Sequence, residues 1–205
     1  MFKMNIIIRN LGICNWLGIE EKMIKFTKNR SFNTSDELWC LEHYPVFTYG
    51  VLEKKKYAPF IHKIPVFKSN RGGKITFHGP GQLIIYLLID LRRKKIKFYE
   101  LVNRIEILII HILKILKISS YTKKKHPGIY VKKKKICSLG FRIINGCSLH
   151  GISLNVNMDL KPFNFISPCG NKKIKMTQIK NFKKNITIKN VQEIFIKNFY
   201  ILFNY

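Results

Sequence analysis

The spacing of apolar residues along the chain predicts an irregular alternation of strands and helices. Trp16, Ile19 and Met23 recur at helical spacing, and the longest predicted helix spans Phe98–Ile118, where apolar residues occupy one face. Strands are predicted at Asn5–Arg9, Glu37–His43, Leu83–Leu91, Ile136–Ile144 and Cys147–Val156. The apolar run of Leu83–Leu91 is typical of a strand that is buried on both faces.

The second half of the chain predicts antiparallel pairing. Asn145-Gly146 separates two β-rich stretches by two residues, which is the strongest short signal for a hairpin. Near the end, Asn190 followed by Glu193 resembles a capping box at the start of a final helix. We therefore expect an α+β fold built around a mixed or antiparallel sheet.

Composition limits the class of protein but does not identify a partner. The 205 residues fit one domain, and an apolar fraction of 46% excludes a disordered chain. The net charge of +27 has two readings, a polyanionic partner such as nucleic acid or compositional drift towards lysine. Lysine runs such as Lys54–Lys56 and Lys132–Lys135 are scattered along the chain, which favours drift, with attraction to an acidic carrier protein as a further consequence.

The cysteines and the apolar runs indicate a cytoplasmic protein with free thiols. The five cysteines are odd in number, and the N-terminal residues do not form a signal peptide. No apolar run approaches the roughly 18 residues that a membrane span needs. A zinc site at Cys147 and His150, with Cys137 and Cys169 as further ligands, is the weaker reading because no Cys-x-x-Cys pair is present.

Four segments carry residues suited to chemistry. The glycine-rich block Arg71–Gln82 precedes a buried strand but lacks the Gly-Lys-Ser/Thr ending of a P-loop. Lys135–Gly140 and Leu149–Asn157 are brought together by the predicted hairpin. In the fourth, Ser167–Gly170, Cys169 lies between proline and glycine, so its thiol is the best candidate nucleophile of the five.

Together with Glu42–Thr48 and Pro127–Val131, these segments resemble the octanoyltransferase family of protein lipoylation, in order and spacing. The resemblance implies a single catalytic domain over residues 1–205, with a mixed β-sheet flanked by helices as in biotin and lipoate protein ligases. Residues 171–205 diverge from the family pattern. Ser153 also departs from it, because a small apolar residue is usual at that position.

The family's roles transfer to particular positions of this chain. By resemblance, Cys169 is the residue that becomes acylated and Lys135 is its acid–base partner. The residues implied to line the acyl pocket are Arg71, Gly72, Gly73, Lys74, Ile75, Thr76, Phe77, His78, Ser138, Leu139, Gly140, Gly151, Ile152 and Ser153. The implied donor is octanoyl-acyl carrier protein, and the implied acceptors are apo lipoyl domains of 2-oxoacid dehydrogenases and the glycine-cleavage H protein. No cofactor, metal, nucleic acid or membrane is expected to take part.

The chemistry of these two residues agrees with that role. A free thiol has a pKa of about 8.5, and a neighbouring ammonium favours its thiolate form. A thioester already carries the activation needed to form an amide, so no ATP is required. The rival readings are an ATP-dependent ligase of the same fold, which needs the lysine but no nucleophilic cysteine, a nucleic-acid-binding protein, and a transferase that has lost its activity.

Overall fold

A seven-stranded mixed sheet forms the centre of the molecule. The computed structural model describes residues 6–123, 127–168 and 174–205. The strands of this sheet are β1 (Ile7–Cys14), β2 (Glu37–His43), β7 (Gln82–Leu88), β8 (Tyr121–Thr122), β9 (Ile129–Val131), β10 (Lys134–Ile144) and β11 (Cys147–Asn155). Their order is β1-β2-β7-β11-β10-β9-β8, with β1 and β2 parallel and the remaining neighbours antiparallel.

Helices cover the two faces of this sheet unequally. The helices α2 (Phe98–Ile115) and α3 (Ile188–Phe203) pack on one face, where Leu83, Ile85 and Leu87 of β7 join the main apolar core. The helix α1 (Trp16–Asn29) packs on the other face, against alternate residues of β7 such as Ile84 and Tyr86. Because side chains alternate along a strand, β7 is apolar throughout and is buried on both faces.

The turn between β10 and β11 shows why its two residues are asparagine and glycine. Asn145 and Gly146 have φ angles of 49° and 72°, the left-handed values that a two-residue hairpin turn needs. A Cβ atom on Gly146 would lie 2.5 Å from Cδ of Arg92, so a larger residue there would displace the exposed Arg92 side chain as well as strain the turn. The turn fixes a register in which Gly140 faces Gly151 and Ser138 faces Ser153.

A smaller sheet lies beside the main one. Its strands are β3 (Val46–Tyr49), β4 (Phe60–Ile61), β5 (Ile64–Lys68) and β6 (Thr76–His78), in the order β4-β5-β3-β6. A separate apolar cluster that includes Phe47, Phe77 and Phe163 holds it in place. Its β5–β6 connection crosses to the main sheet, where the backbone N–H of Gly72 donates to the carbonyl of Phe141, 2.9 Å away.

The expected α+β class and the mixed sheet flanked by helices are confirmed. Several boundaries were wrong: the first strand continues to Cys14, and α2 ends at Ile115, three residues early. The final helix begins earlier than predicted, since its capping box is formed by Thr187 and Asn190, whose side chains bond each other's backbone N–H groups. Among the residues described, no helix is long and apolar enough to cross a membrane.

Candidate active site

A cavity of about 450 Å³ opens between the main sheet, the small sheet and the first turn of α2. Its floor contains two cross-strand pairs of small residues, Ser138 with Ser153 and Gly140 with Gly151. A larger side chain at position 140 would approach Arg71 in the cavity wall, whereas a Cβ atom on Gly151 would lie 2.1 Å from the carbonyl oxygen of Ile85. The cavity therefore exists because small side chains face each other at this point of the sheet.

Nearly all of the residues expected to line an acyl pocket border this one cavity. They are Arg71, Gly72, Gly73, Lys74, Ile75, Thr76, His78, Ser138, Leu139, Gly140, Gly151, Ile152 and Ser153. Phe77 is the exception, because its ring packs 5.3 Å from that of Phe47 and 5.6 Å from that of Phe163, within the small-sheet cluster. Strand alternation explains the difference, since the neighbours of Phe77 in β6 point the opposite way.

Lys135 lies in the wall of the cavity although its side chain is buried. Only 1% of its surface is exposed, its Nζ donates to the carbonyl of Pro127 at 2.7 Å, and it lies 5.6 Å from the ring centre of Tyr130. The pairing of β10 with β9 shifts between Lys135 and Cys137, a bulge that changes the direction of a side chain relative to its neighbours. Gly128 makes room for Lys135, because a Cβ atom there would lie 2.7 Å from Cε of the lysine.

The predicted nucleophile, Cys169, lies outside the described residues, but the residue before it borders the cavity. Pro168 and Lys135 both line the cavity wall. Three of the other cysteines, Cys40, Cys137 and Cys147, are poor candidates because they are buried. Burial raises the pKa of both Cys40 and Cys137 to about 12, so their thiols stay protonated at neutral pH.

Arg71 organises the glycine-rich block. Its guanidinium donates to the carbonyls of Thr48, Gly72 and Lys74 at distances of 2.8 to 2.9 Å. These bonds hold the loop in a fixed shape at the cavity wall. They indicate that Arg71 orders the loop that borders the cavity.

Two buried histidines, His78 and His150, line the cavity, a third, His43, packs beside His78, and burial keeps all three neutral. It lowers the pKa of His43 to about 4 and, together with Arg71, that of His150 to about 3. The pKa of His78 is also well below its ordinary value, because of burial and the nearby His43 and Arg71. The sequence pointed to His78 but gave no role to His43, whose Nε2 accepts from the hydroxyl of Tyr86 at 2.8 Å.

A buried carboxylate ties α1 to the wall of the cavity. Oε1 of Glu20 accepts from the hydroxyl of Ser69 at 2.6 Å, and Asn70 bonds Nε2 of His150 at 2.5 Å. Burial raises the pKa of Glu20. Sequence reasoning missed this contact, as it missed Trp16 and Tyr86 in the cavity lining, because helical and strand periodicity alone assigns such residues to the core.

The part of the chain that the structure describes contains no cluster of three or more histidine, cysteine or acidic residues placed to hold a metal ion. The cavity lining is mainly apolar and carries one buried lysine amine beside a serine and glycine floor. This arrangement can bind a hydrocarbon chain and place its reactive end near an amine.

The fold is that of lipoate and biotin protein ligases. A crystal structure of lipoate-protein ligase A bound with ATP superimposes with a TM-score of 0.77 at 13% identity, covering 99% of this chain and 86% of that one. Biotin protein ligase from Aquifex aeolicus, in complex with biotin and ATP, gives 0.60 at 14% identity, over 98% of this chain and 70% of that one. At these identities the likeness establishes the fold alone.

The chain belongs to the lipoyl protein ligase A/B catalytic domain family, whose model matches residues 17–200. It is 52% identical to an octanoyltransferase of Buchnera aphidicola subsp. Acyrthosiphon pisum, over 96% of this chain and 93% of the relative. It is 43% identical to an octanoyltransferase of Escherichia coli O139:H28, over 100% of this chain and 96% of the relative. The expected family is thus confirmed.

Proposed function

We propose that this chain is an octanoyltransferase that moves an octanoyl group from a thioester carrier to a lysine of an apo lipoyl domain, through a thioester on Cys169. The observation that carries the proposal is the apolar cavity whose wall contains both the buried Lys135 and Pro168, the residue before Cys169. The relatives at 43–52% identity that bear the name octanoyltransferase support the same activity.

In the first half-reaction, the Cys169 thiolate attacks the carbonyl carbon of the donor thioester. A new C–S bond forms to the enzyme while the C–S bond to the carrier breaks, and the carrier leaves as a thiol after taking up a proton. Lys135 serves as the acid–base partner that takes the thiol proton and returns it to the leaving sulfur. One thioester replaces another, so this step is close to neutral in free energy.

In the second half-reaction, the acceptor lysine amine attacks the acyl-enzyme. A C–N bond forms, the C–S bond to Cys169 breaks, and the amine loses a proton that neutral Lys135 can accept. The product is an amide, which is more stable than the thioester from which it forms. The activation is already present in the donor, so the overall transfer balances without ATP.

The hydrocarbon chain of the donor is assigned to the cavity. Ser138 with Ser153 and Gly140 with Gly151 form a floor without bulky groups, and apolar residues such as Ile84 lie beside it. The pocket role of the Arg71–His78 block belongs to this proposal, with Arg71 holding the loop and Phe77 supporting it from the small-sheet cluster. The donor is octanoyl-acyl carrier protein, and the acceptors are lipoyl domains of 2-oxoacid dehydrogenases and the glycine-cleavage H protein.

The proposed site of action is the cytoplasm, where thiols stay reduced. Cys14, Cys40, Cys137 and Cys147 are all free thiols in the structure. A catalytic thiolate at Cys169 needs the same reducing conditions. An acidic carrier protein would also be attracted by the net charge of +27.

Replacing Cys169 with serine tests the covalent route. We expect Cys169→Ser to fold normally but to lose at least about 10³-fold in transfer rate, because a serine hydroxyl is not ionised beside Lys135. Cys14→Ser is the matched control, since Cys14 is the one described cysteine that is not buried. Transfer of octanoyl from acyl carrier protein to an apo lipoyl domain, followed by mass, is the measurement, and equal rates for both variants would refute the proposal.

A further inference from the structure

A chain of buried polar side chains runs beneath the cavity from Arg71 to the strand of Lys135. Its members after Arg71 are Thr48, His78, Gln82, Asn155 and Thr177, each no more than 7% exposed. The successive bonds are 2.9, 3.3, 2.8, 2.9 and 2.9 Å long. The segment Arg71–Gln82 is thus connected through hydrogen bonds to the segment that follows Cys169 in the sequence.

The Thr177 carbonyl, at the end of this series of hydrogen bonds, determines which group donates and which accepts in each of them. The Thr177 carbonyl can only accept, so Asn155 donates to it through Nδ2 and turns Oδ1 towards Gln82. Gln82 then donates through Nε2, which leaves its Oε1 to accept from Nδ1 of His78. Neutral His78 has only Nε2 left as an acceptor, which receives the Thr48 hydroxyl proton, and Thr48 in turn accepts from Arg71.

The far end of this chain touches Lys135 through the backbone. The N–H of Lys135 donates to the carbonyl of Lys175, and the N–H of Thr177 donates to the carbonyl of Lys135, both at 2.8 Å. These two bonds form a parallel bridge between Lys135 and Met176. Residues 174–177 therefore form a strap that lies along the strand of Lys135, and Asn155 holds this strap from below.

We propose that Gln82 and Asn155 are positioning residues for acyl transfer, which hold the strap against β10 and so fix Lys135 at the wall of the cavity. The inference rests on the proposed function. Neither amide is exposed, and each uses both ends of its side chain within the chain of bonds. Removing one amide leaves buried partners unsatisfied and releases the strap from below.

The expected kinetic signature is a loss in kcat without a loss in donor binding. A displacement of about 1 Å at a reacting group costs on the order of 10²-fold in rate, so Asn155→Leu should reduce kcat by about that factor. The KM for octanoyl-acyl carrier protein should stay within about twofold, because Asn155 does not line the cavity. Hydrogen exchange of the Thr177 amide, which donates to Lys135, should become faster in the same variant.

Ser148→Ala is the matched control. Ser148 is fully buried on the same strand as Asn155 and donates to the carbonyl of Leu87 at 2.6 Å, at the end of the strand away from Lys135. The Ser148→Ala variant should lose about as much thermal stability as Asn155→Leu, while its kcat stays within about twofold of wild type. If Asn155→Leu folds poorly, Gln82→Met tests the same series of hydrogen bonds at another position. The double variant should be no slower than the slower of the two single variants.

The outcomes separate this inference from the proposed function. If wild type itself transfers no octanoyl group, the proposed function fails. If wild type is active and Asn155→Leu keeps its kcat, raises KM alone, or matches Ser148→Ala in every rate, the positioning role is overturned. Strictly additive losses from Gln82→Met and Asn155→Leu would also overturn it, since linked bonds must act together.

Discussion

The two faces of strands β10 and β11 differ in the size of their side chains. On the face covered by α2 and α3, Cys137 pairs with Leu154, and both are fully buried in the main core. On the cavity face, the neighbouring pair is Ser138 with Ser153, and Gly140 pairs with Gly151 two residues further on. The same hairpin thus contributes large side chains to the main core and small side chains to the lining of the 450 Å³ cavity.

On this hairpin, the residues that stabilise the fold are therefore different from those that line the cavity. Large apolar residues on the helix side contribute burial, which scales with the apolar area removed from water. Small residues on the cavity side leave space for a ligand, and the buried Lys135 lies in the wall of that space. Substitutions on the two faces should therefore affect different measurements.

The largest expected effect comes from Lys135, the buried lysine of β10. Lys135→Ala should slow acylation of Cys169 by about 10³-fold at neutral pH, since an acid–base partner contributes about 10² to 10⁴. The rate should recover partly as the pH approaches the ordinary thiol pKa of about 8.5, where the thiolate forms unaided. Rapid-quench measurement of the acyl-enzyme checks this, with the exposed neighbour Lys134→Ala as control. A pH-independent defect would mean that Lys135 has a structural role only.

Leu154→Ala tests the helix face. Leu154 is fully buried, so its truncation should cost about 2–5 kcal/mol of unfolding free energy through lost burial and a residual cavity. Urea denaturation measures the loss, and Leu17→Ala, at a position that is 46% exposed, should change stability by less than about 0.5 kcal/mol. The preference of folded Leu154→Ala for acyl chain length should match wild type. A changed preference would show that the two faces are not independent.

Ser153→Leu tests the cavity face in the opposite sense. A leucine there would occupy the space above Ser138, so octanoyl transfer should fall by about tenfold or more, with decanoyl transfer affected more than hexanoyl transfer. Ser153→Ala should stay close to wild type because it keeps the volume. Competition between donors of different acyl-chain length measures this change in selectivity. Unchanged selectivity would place the acyl chain elsewhere.

The smallest expected effect is the pH dependence of stability from the buried histidines. The pKa values of His43 and His150 are lowered to about 4 and about 3, below the value of about 6.5 in the unfolded chain. The unfolded state therefore binds more protons below pH 6.5, and stability should fall from about pH 6.5 towards pH 4. His43→Gln should reduce this slope in urea denaturation, whereas His111→Gln, at an exposed position on α2, should not. Equal slopes in both variants would contradict the assignment.

Periodicity was sufficient to predict the long elements but not the small sheet. Strand β2 and helix α1 follow simple apolar spacing, and Asn145-Gly146 identifies its hairpin because the turn requires left-handed residues. Strands β4 and β6 are two and three residues long, too short for a period to be recognised. Their pairing depends on contacts between distant residues, which a local pattern does not contain.

Some residues of the candidate site could also be predicted from the sequence, and others could not. The resemblance implied roles for Arg71 and Lys135, whereas Gln82 and Asn155 lie in two of the same four segments and were given no role. Their role depends on a chain of hydrogen bonds that joins residues up to 73 positions apart. Sequence spacing gives no sign of such a chain until the sheet order brings β7, β11 and the strap together.

Intact-mass analysis tests the central claim most directly. The purified protein is mixed with octanoyl-acyl carrier protein in the absence of ATP, and its mass is recorded before and after addition of an apo lipoyl domain. The account predicts an octanoyl increment that maps to Cys169 and then moves to a lysine of the lipoyl domain. An enzyme that gains no increment, with transfer appearing only when free octanoate and ATP are supplied, would contradict it and establish a ligase instead.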